Sequence, residues 1–249
     1  MPEKSVELHV EGSTATIVLN RPGRLNALNN EMFLLLDEHV SSIAEQAERI
    51  SCVVVRGAGK CFSAGHDLEE IGSGEAAHNV AFQSSVLERL ANLPQAVIAA
   101  VHGHCYTGAL EVALASDFIV AAESARFADT HSKWALTPVW GMSQRLPRLV
   151  GQARAREMMF TARTVEGREA LAIGLAAACF ADDGFWGEVA ALATRVAENS
   201  PFSIAAYKRL LAQTDAVPLH HGLAYEVRHS AGVGPDMSER VARFSKRKR

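Results

Sequence analysis

Two short runs with a strand's pattern open the chain. Apolar and polar residues alternate over 7–11, Gly12-Ser13 supplies a turn, and Ala15-Thr16-Ile17-Val18-Leu19 is rich in β-branched residues, so the stretch predicts a hairpin. Asn20-Arg21-Pro22-Gly23-Arg24 then breaks the strand with proline and glycine. The period changes after Asn29 and Asn30, either of which suits a helix cap, and Phe33, Leu36, Val40, Ile43 and Ala47 fall on one stripe. Three runs, 52–55, 96–101 and 118–121, are continuously apolar instead, as expected for strands of a sheet covered on both faces. Between the first two lie a glycine-containing loop over 57–74 and a helix ending near Pro94. Between the second and third come a turn over 103–108 and a helix over 109–115. Strand, crossover and strand repeated in this way predict parallel pairing through right-handed crossovers. Beyond Gly141 the pattern is mostly helical, over 153–160, 165–173, 185–198, 201–212 and 219–230. The predicted fold class is α/β: a core of parallel-sheet βαβ units over 1–200, followed by a helical C-terminal part over 201–249.

Composition narrows the class. With 249 residues, 48% of them hydrophobic and 21% charged, the chain has ordinary globular values, which exclude a wholly disordered chain, a coiled coil and a collagen. No stretch approaches the roughly 18 uncharged apolar residues of a membrane span, and Met1-Pro2-Glu3-Lys4 is followed by no leader-like apolar region, so no signal peptide is expected. The net charge of −3 is unevenly placed, because the last ten residues hold six bases and no acid while the other residues carry −9. Lys246-Arg247-Lys248-Arg249 is read as a solvated end, and the acidic body argues against a nucleic-acid partner, since phosphate neutralisation supplies most non-specific affinity. Cys52, Cys61, Cys105 and Cys179 form no C-x-x-C pair, so free thiols in a reducing cytoplasm are the expectation. His102 and His104 lack further ligands at zinc-like spacing, and no metal is expected.

Familiar nucleotide and esterase signatures are missing. Gly57-Ala58-Gly59-Lys60-Cys61-Phe62 lacks the final glycine of a dinucleotide cradle, and Gly141-Met142-Ser143-Gln144-Arg145 is no nucleophile elbow. Two loops that follow apolar strands carry the candidate chemistry, 62–68 (Phe-Ser-Ala-Gly-His-Asp-Leu) and 106–111 (Tyr-Thr-Gly-Ala-Leu-Glu). In an open α/β sheet ligands sit beyond the carboxyl ends of the strands, where these loops fall. Gly65 and Gly108 permit close backbone approach, leaving amides free to face an anionic oxygen. Glu111 lies in the first turn of the following helix, where it is either a catalytic acid or simply an acid well placed against the helix dipole.

These loops and several further motifs resemble the crotonase fold, the enoyl-CoA hydratase/isomerase superfamily. Asn20-Arg21-Pro22 with Asn26-Ala27-Leu28-Asn29 is similar to the family's opening motif, residues 62–68 to its F-x-A-G-x-D loop, and 108–117 to its glutamate-bearing helix start. Phe127, Pro138, Gly141, Gln144-Arg145-Leu146 and Gly151 follow at family spacing, as do Thr161-Ala162-Arg163 and the ending Val241-Ala242-Arg243-Phe244. The resemblance implies a spiral of βαβ units acting on an acyl-CoA thioester, with no cofactor beyond the coenzyme A of the substrate. It implies that the amides of His66 and Gly108 stabilise a thioester enolate and that Glu111 is the first catalytic glutamate. Arg24, Leu25, Ala27, Ala64, Gly65, Asp67 and Leu68 match positions lining the CoA arm and acyl chain. Arg24 would meet a CoA phosphate or be a plain surface arginine, and the His66 imidazole would be a further polar group or a bystander. The resemblance further implies a homotrimer or dimer of trimers, packed through 201–249.

One departure bears on the reaction. Counting from Phe127 to Pro138, the family's second glutamate falls at His131, with Asp129 two residues away. His131 and Asp129 are thus candidate second acid/base groups, although the more ordinary reading of His131 is that it fills space on a loop. Hydration or isomerisation of an enoyl-CoA is the leading expectation. Decarboxylation or other enolate chemistry at the same site is an alternative, as is a weakly catalytic CoA- or RNA-binding family member.

Overall fold

The structure, a computed structural model, describes residues 4–73, 75–214 and 217–247. Gly74 at the end of the expected loop, Met1 to Glu3 and the last two residues of the basic run, Lys248 and Arg249, lie outside the described residues.

The hairpin is present as β1 (Val6–Glu11) and β2 (Thr14–Leu19), antiparallel about Gly12 at φ +57°. Asn29 is the cap of α1 (Asn30–Glu45): its side chain accepts from the Met32 N–H at 3.1 Å. The expected stripe of Phe33, Leu36, Val40 and Ile43 is buried, while Ala47 lies past the helix end. β3 (Cys52–Gly57) leads into α2 (Leu68–Ser73) and α3 (Glu75–Ala91), then β4 (Ala96–Val101), β5 (His104–Tyr106), α4 (Gly108–Leu114), β6 (Phe118–Ala122) and β7 (Arg126–Ala128). A 3-10 turn over His131–Trp134 precedes α5 (Met142–Val150), α6 (Gln152–Thr161), β8 (Val165–Glu166), α7 (Gly167–Ala172), β9 (Ala178–Phe180) and α8 (Phe185–Ala197). The last helices are α9 (Pro201–Leu211), α10 (Leu219–His229) and α11 (Met237–Arg247).

The large sheet runs β1-β2-β3-β4-β6-β9, and every pairing after the hairpin is parallel. Its continuously apolar strands are covered twice, as their composition predicts. Val53, Val55, Val97, Ala99 and Val101 pack into one cluster with Phe33, Leu87, Leu90 and Leu110 of α1, α3 and α4. The alternate residues Cys52, Val54, Ile98, Ala100 and Val120 meet Phe185, Val189 and Ala193 of α8. Each large apolar side chain so buried contributes roughly 1.5–3 kcal/mol.

Several short elements depart from the expected pattern. The 57–74 loop contains α2, opened by the Asp67 side chain, which accepts from the Glu69 N–H at 3.0 Å. The 103–108 turn contains β5, which joins β7 and β8 in a second, three-stranded sheet. The helix expected over 165–173 is β8 followed by α7, and α5 forms despite Pro147 within it. Runs of two or three residues carry too little periodicity to be read as strands, and Gly141, Pro147 and Gly151 read as breakers.

The four cysteines are free thiols, and burial pushes the Cys52 thiol up to about 12, so this sulfur stays protonated and inert. No described helix is long and apolar enough to cross a membrane.

Candidate active site

The two loops singled out in the sequence meet through single-residue pairings beyond the main sheet. Leu28 pairs parallel with His66, and Ser63 with Cys105. The first pairing uses the Gly65 carbonyl, which accepts from Leu28 N–H at 2.8 Å, and the Asp67 N–H, which donates to the Leu28 carbonyl at 2.8 Å. In a parallel ladder that pattern turns the N–H of His66 itself the other way. Gly108 opens α4, so its N–H has no carbonyl one turn back within the helix. Among the described residues neither amide has an acceptor. They lie close together: a Cβ placed on Gly108 would be 3.2 Å from the His66 nitrogen and 2.6 Å from the Trp140 ring. A side chain at either glycine would destroy the arrangement, because Gly65 takes φ +105° and a Cβ there would strike the Tyr106 carbonyl at 2.6 Å. Two neighbouring N–H groups without a protein acceptor are the donors that an oxyanion needs.

One turn into α4, Glu111 is 1% exposed. Its Oε1 accepts from the backbone N–H of Trp140 at 2.9 Å and of Met142 at 3.0 Å, fixing the carboxylate. Its Oε2 is left facing His131, whose Nε2 is 3.8 Å away. Burial pushes the Glu111 carboxyl above the ordinary glutamate range. The Met142 and Trp140 amides and the His131 ring counter that only in part. Asp129, also 1% exposed, holds the other side of the imidazole, with its Oδ1 2.6 Å from His131 Nδ1 and accepting from the His131 N–H at 3.1 Å. In the neutral ring this carboxylate favours the tautomer with the proton on Nδ1, which turns an unprotonated Nε2 toward Glu111.

A cavity of about 580 Å³ joins these groups. His66, Gly108, Glu111, Thr107, Thr130 and His131 supply its polar wall, and Leu68, Ile71, Val80, Trp134, Val139 and Trp140 its apolar one. The His66 imidazole stacks against Trp140 with ring centroids 4.6 Å apart, and its Nε2 lies 3.4 Å from a Glu70 oxygen. Burial favours the neutral ring and pushes this imidazole below its ordinary range, outweighing Glu70, which favours the charged form.

A family model described as enoyl-CoA hydratase/isomerase matches residues 9–240. The chain belongs to the enoyl-CoA hydratase/isomerase family. The short-chain-enoyl-CoA hydratase of Clostridium acetobutylicum is 32% identical to it over 230 residues, 91% of this chain and 88% of that one. The 1,2-epoxyphenylacetyl-CoA isomerase of Escherichia coli is 31% identical over 245 residues, 95% and 93% of the two chains. A crystal structure of an enoyl-CoA hydratase from Bacillus anthracis matches the fold with a TM-score of 0.92 at 31% identity, covering 98% of this chain and 96% of that one. The expected family and fold are thereby borne out, and the chain is an enzyme of the lyase/isomerase type. A hydratase at 32% and an isomerase at 31% identity stand almost equally near, so identity alone does not choose the reaction.

Within this family frame the structure sorts the residues named from sequence. His66, Gly108, Glu111, His131, Ala64 and Leu68 line the cavity, whereas Asp129 stands behind His131. The half-buried His66 imidazole lies on the cavity wall. Arg24, Leu25, Ala27, Gly65 and Asp67 are outside the lining. Arg24 is a surface side chain, paired with Glu69 at 2.7 Å. The Leu25 carbonyl accepts from Ala64 N–H at 2.9 Å, and the Ala27 carbonyl from Arg21 Nη1 at 2.7 Å, so these residues brace the loop. Asp67 accepts from Arg21 at 2.9 Å; burial raises its carboxyl, but Arg21 and the Glu69 amide outweigh that and hold it below the ordinary range. Trp140, Thr107 and Thr130 were not foreseen. A tryptophan before a family-spaced glycine looks like any core aromatic, and only Gly141, at φ +116°, marked the turn.

Proposed function

We propose that the enzyme binds an acyl-CoA thioester with its carbonyl oxygen between the His66 and Gly108 amides, and that Glu111 moves a proton at the α-carbon of the resulting enolate. The observation that carries this reading is the buried Glu111 carboxylate, fixed by two backbone amides and opening on the cavity that the paired N–H groups share. We read the reaction as hydration of an enoyl-CoA, or its reverse. The His131–Asp129 pair in place of a second carboxylate supports this choice: Nε2 takes a proton from the adding water while Glu111 delivers one to the α-carbon. No cofactor is needed beyond the coenzyme A of the substrate, and the compartment we propose is the cytoplasm. The negative body leaves nucleic acid out of the proposed partners.

Acyl-CoA is expected to raise the melting temperature progressively with ligand concentration. Calorimetry that detected no acyl-CoA binding up to millimolar ligand would contradict the reading. The two proton carriers separate by assay. His131→Ala is expected to slow crotonyl-CoA hydration by about 10²-fold or more. Deuterium exchange at the α-carbon of a saturated acyl-CoA needs no water addition and should fall far less. Equal losses in both assays would remove His131 from the water-activating role.

The pH profile follows from the raised Glu111 carboxyl. As base it works ionised, so α-proton abstraction is expected to fail as pH drops, with kcat/KM reaching its midpoint above the ordinary glutamate value of about 4.3. A midpoint at or below that value would contradict the burial of the working carboxylate.

Residues 201–249 we read as a helical, oligomer-packing part. In support, α9 and α10 bury no residue within the chain, and Leu219 and Val227 are 79% and 81% exposed. A trimer or a dimer of trimers would cover them.

A further inference from the structure

Thr107, the residue before Gly108, adopts φ +51° and ψ −110°. For a β-branched residue a positive φ is a true outlier, which the surrounding structure must hold in place. The restraints are visible. Its N–H donates to the Ala128 carbonyl at 2.8 Å, its Oγ1 accepts from the Thr130 N–H at 3.1 Å, and the two threonine hydroxyls are 2.5 Å apart. Both threonines line the cavity.

The strained ψ has a direct consequence for the next amide. Rotation about ψ of Thr107 turns the whole 107–108 peptide plane, so this angle sets which way the Gly108 N–H points. Relaxing it toward an ordinary β or α value swings the plane by a large angle and moves the N–H off its present line. Thr130 is also the residue between Asp129 and His131. One hydroxyl pair therefore ties the loop that presents the Gly108 amide to the loop that presents the imidazole.

We propose that Thr107 and Thr130 are positioning residues whose hydroxyl pair holds the strained 107–108 peptide with the Gly108 N–H on the thioester oxygen. The inference rests on the reading of the His66 and Gly108 amides as the carbonyl-binding pair. Neither threonine transfers a proton in it.

The test uses a conjugated dienoyl-CoA, whose absorption shifts to the red when hydrogen bonds polarise its thioester carbonyl. The unaltered enzyme is expected to give that shift. Thr107→Val keeps the β-branch but loses the clamp, and Thr130→Val loses its hydroxyl while sparing its backbone N–H. Both variants are expected to bind the dienoyl-CoA within about threefold of the unaltered Kd, lose most of the red shift and lose about 10²-fold in kcat with little change in KM, the scale of one oxyanion donor. Thr107→Ser and Thr130→Ser restore the hydroxyls and are expected to recover most of the shift. A merely structural role would lower the melting temperature but leave the shift of the folded protein intact. A full red shift in both valine variants would overturn the inference alone. No shift in the unaltered enzyme, with binding shown by calorimetry, would overturn the carbonyl-binding reading and the inference with it. Should Thr107→Val fail to fold, Thr130→Val with its serine counterpart carries the same decision.

Discussion

Glu111→Gln is expected to lower turnover by about 10²–10⁴-fold, the usual contribution of a general acid–base group, while acyl-CoA affinity changes little. Glutamine keeps the shape and the oxygen that accepts from the Trp140 and Met142 amides, so the loop it anchors stays in place. What it loses is the ability to carry a proton. The same substitution should stabilise the protein. Burial raises the folded-state pKa of Glu111 above its unfolded value, so the folded state loses stability as pH rises through that raised pKa. Glutamine does not titrate and escapes the loss. The variant is therefore expected to melt above the parent at neutral pH, with the excess vanishing once the pH falls below the ordinary glutamate value of about 4.3. Thermal melts across pH, read beside steady-state kinetics, check both halves. A less stable, fully active variant would contradict both.

Gly108→Ala is expected to cost about 10²–10³-fold in kcat, the scale of one lost oxyanion donor. The added methyl would lie 2.6 Å from the Trp140 ring. That ring is 2% exposed and held between Phe33 and His66, with centroids 4.7 and 4.6 Å away, so it has little room to yield. If it moves, it drags the Trp140 N–H from Glu111; if the start of α4 moves, the Gly108 amide leaves the carbonyl. Overpacking of this kind typically also costs about 1–3 kcal/mol of stability. Kinetics on protein verified as folded by circular dichroism would read the effect. A turnover within threefold of the parent would mean that Gly108 is not a donor to the substrate.

The major elements were legible because long apolar runs leave one arrangement open to them. The strands over 52–57, 96–101 and 118–122 alternate between two buried faces, and a parallel sheet covered on both sides, joined by the helices between them, satisfies that pattern. The second sheet was not legible, since β5, β7 and β8 are held by partners far away in sequence and have no periodicity of their own. At the site the same division holds. Gly65, Gly108 and Glu111 stood out because backbone approach and a first-turn acid leave local marks. Trp140 and the Thr107–Thr130 pair did not, because their roles come from contacts with residues about 23 to 74 positions away. His131 was ambiguous for the same reason: only the fold reveals that its two ring nitrogens lie between Asp129 and Glu111.

The central claim is that Glu111 exchanges the α-proton of a thioester held by the His66 and Gly108 amides. The most direct test is proton NMR of butyryl-CoA incubated in D₂O with the parent enzyme and with Glu111→Gln. The account predicts that the α-proton signal fades with the parent and persists with the variant, although both bind the ligand. Exchange at the parental rate in Glu111→Gln, or no exchange by a parent that binds butyryl-CoA, would contradict it.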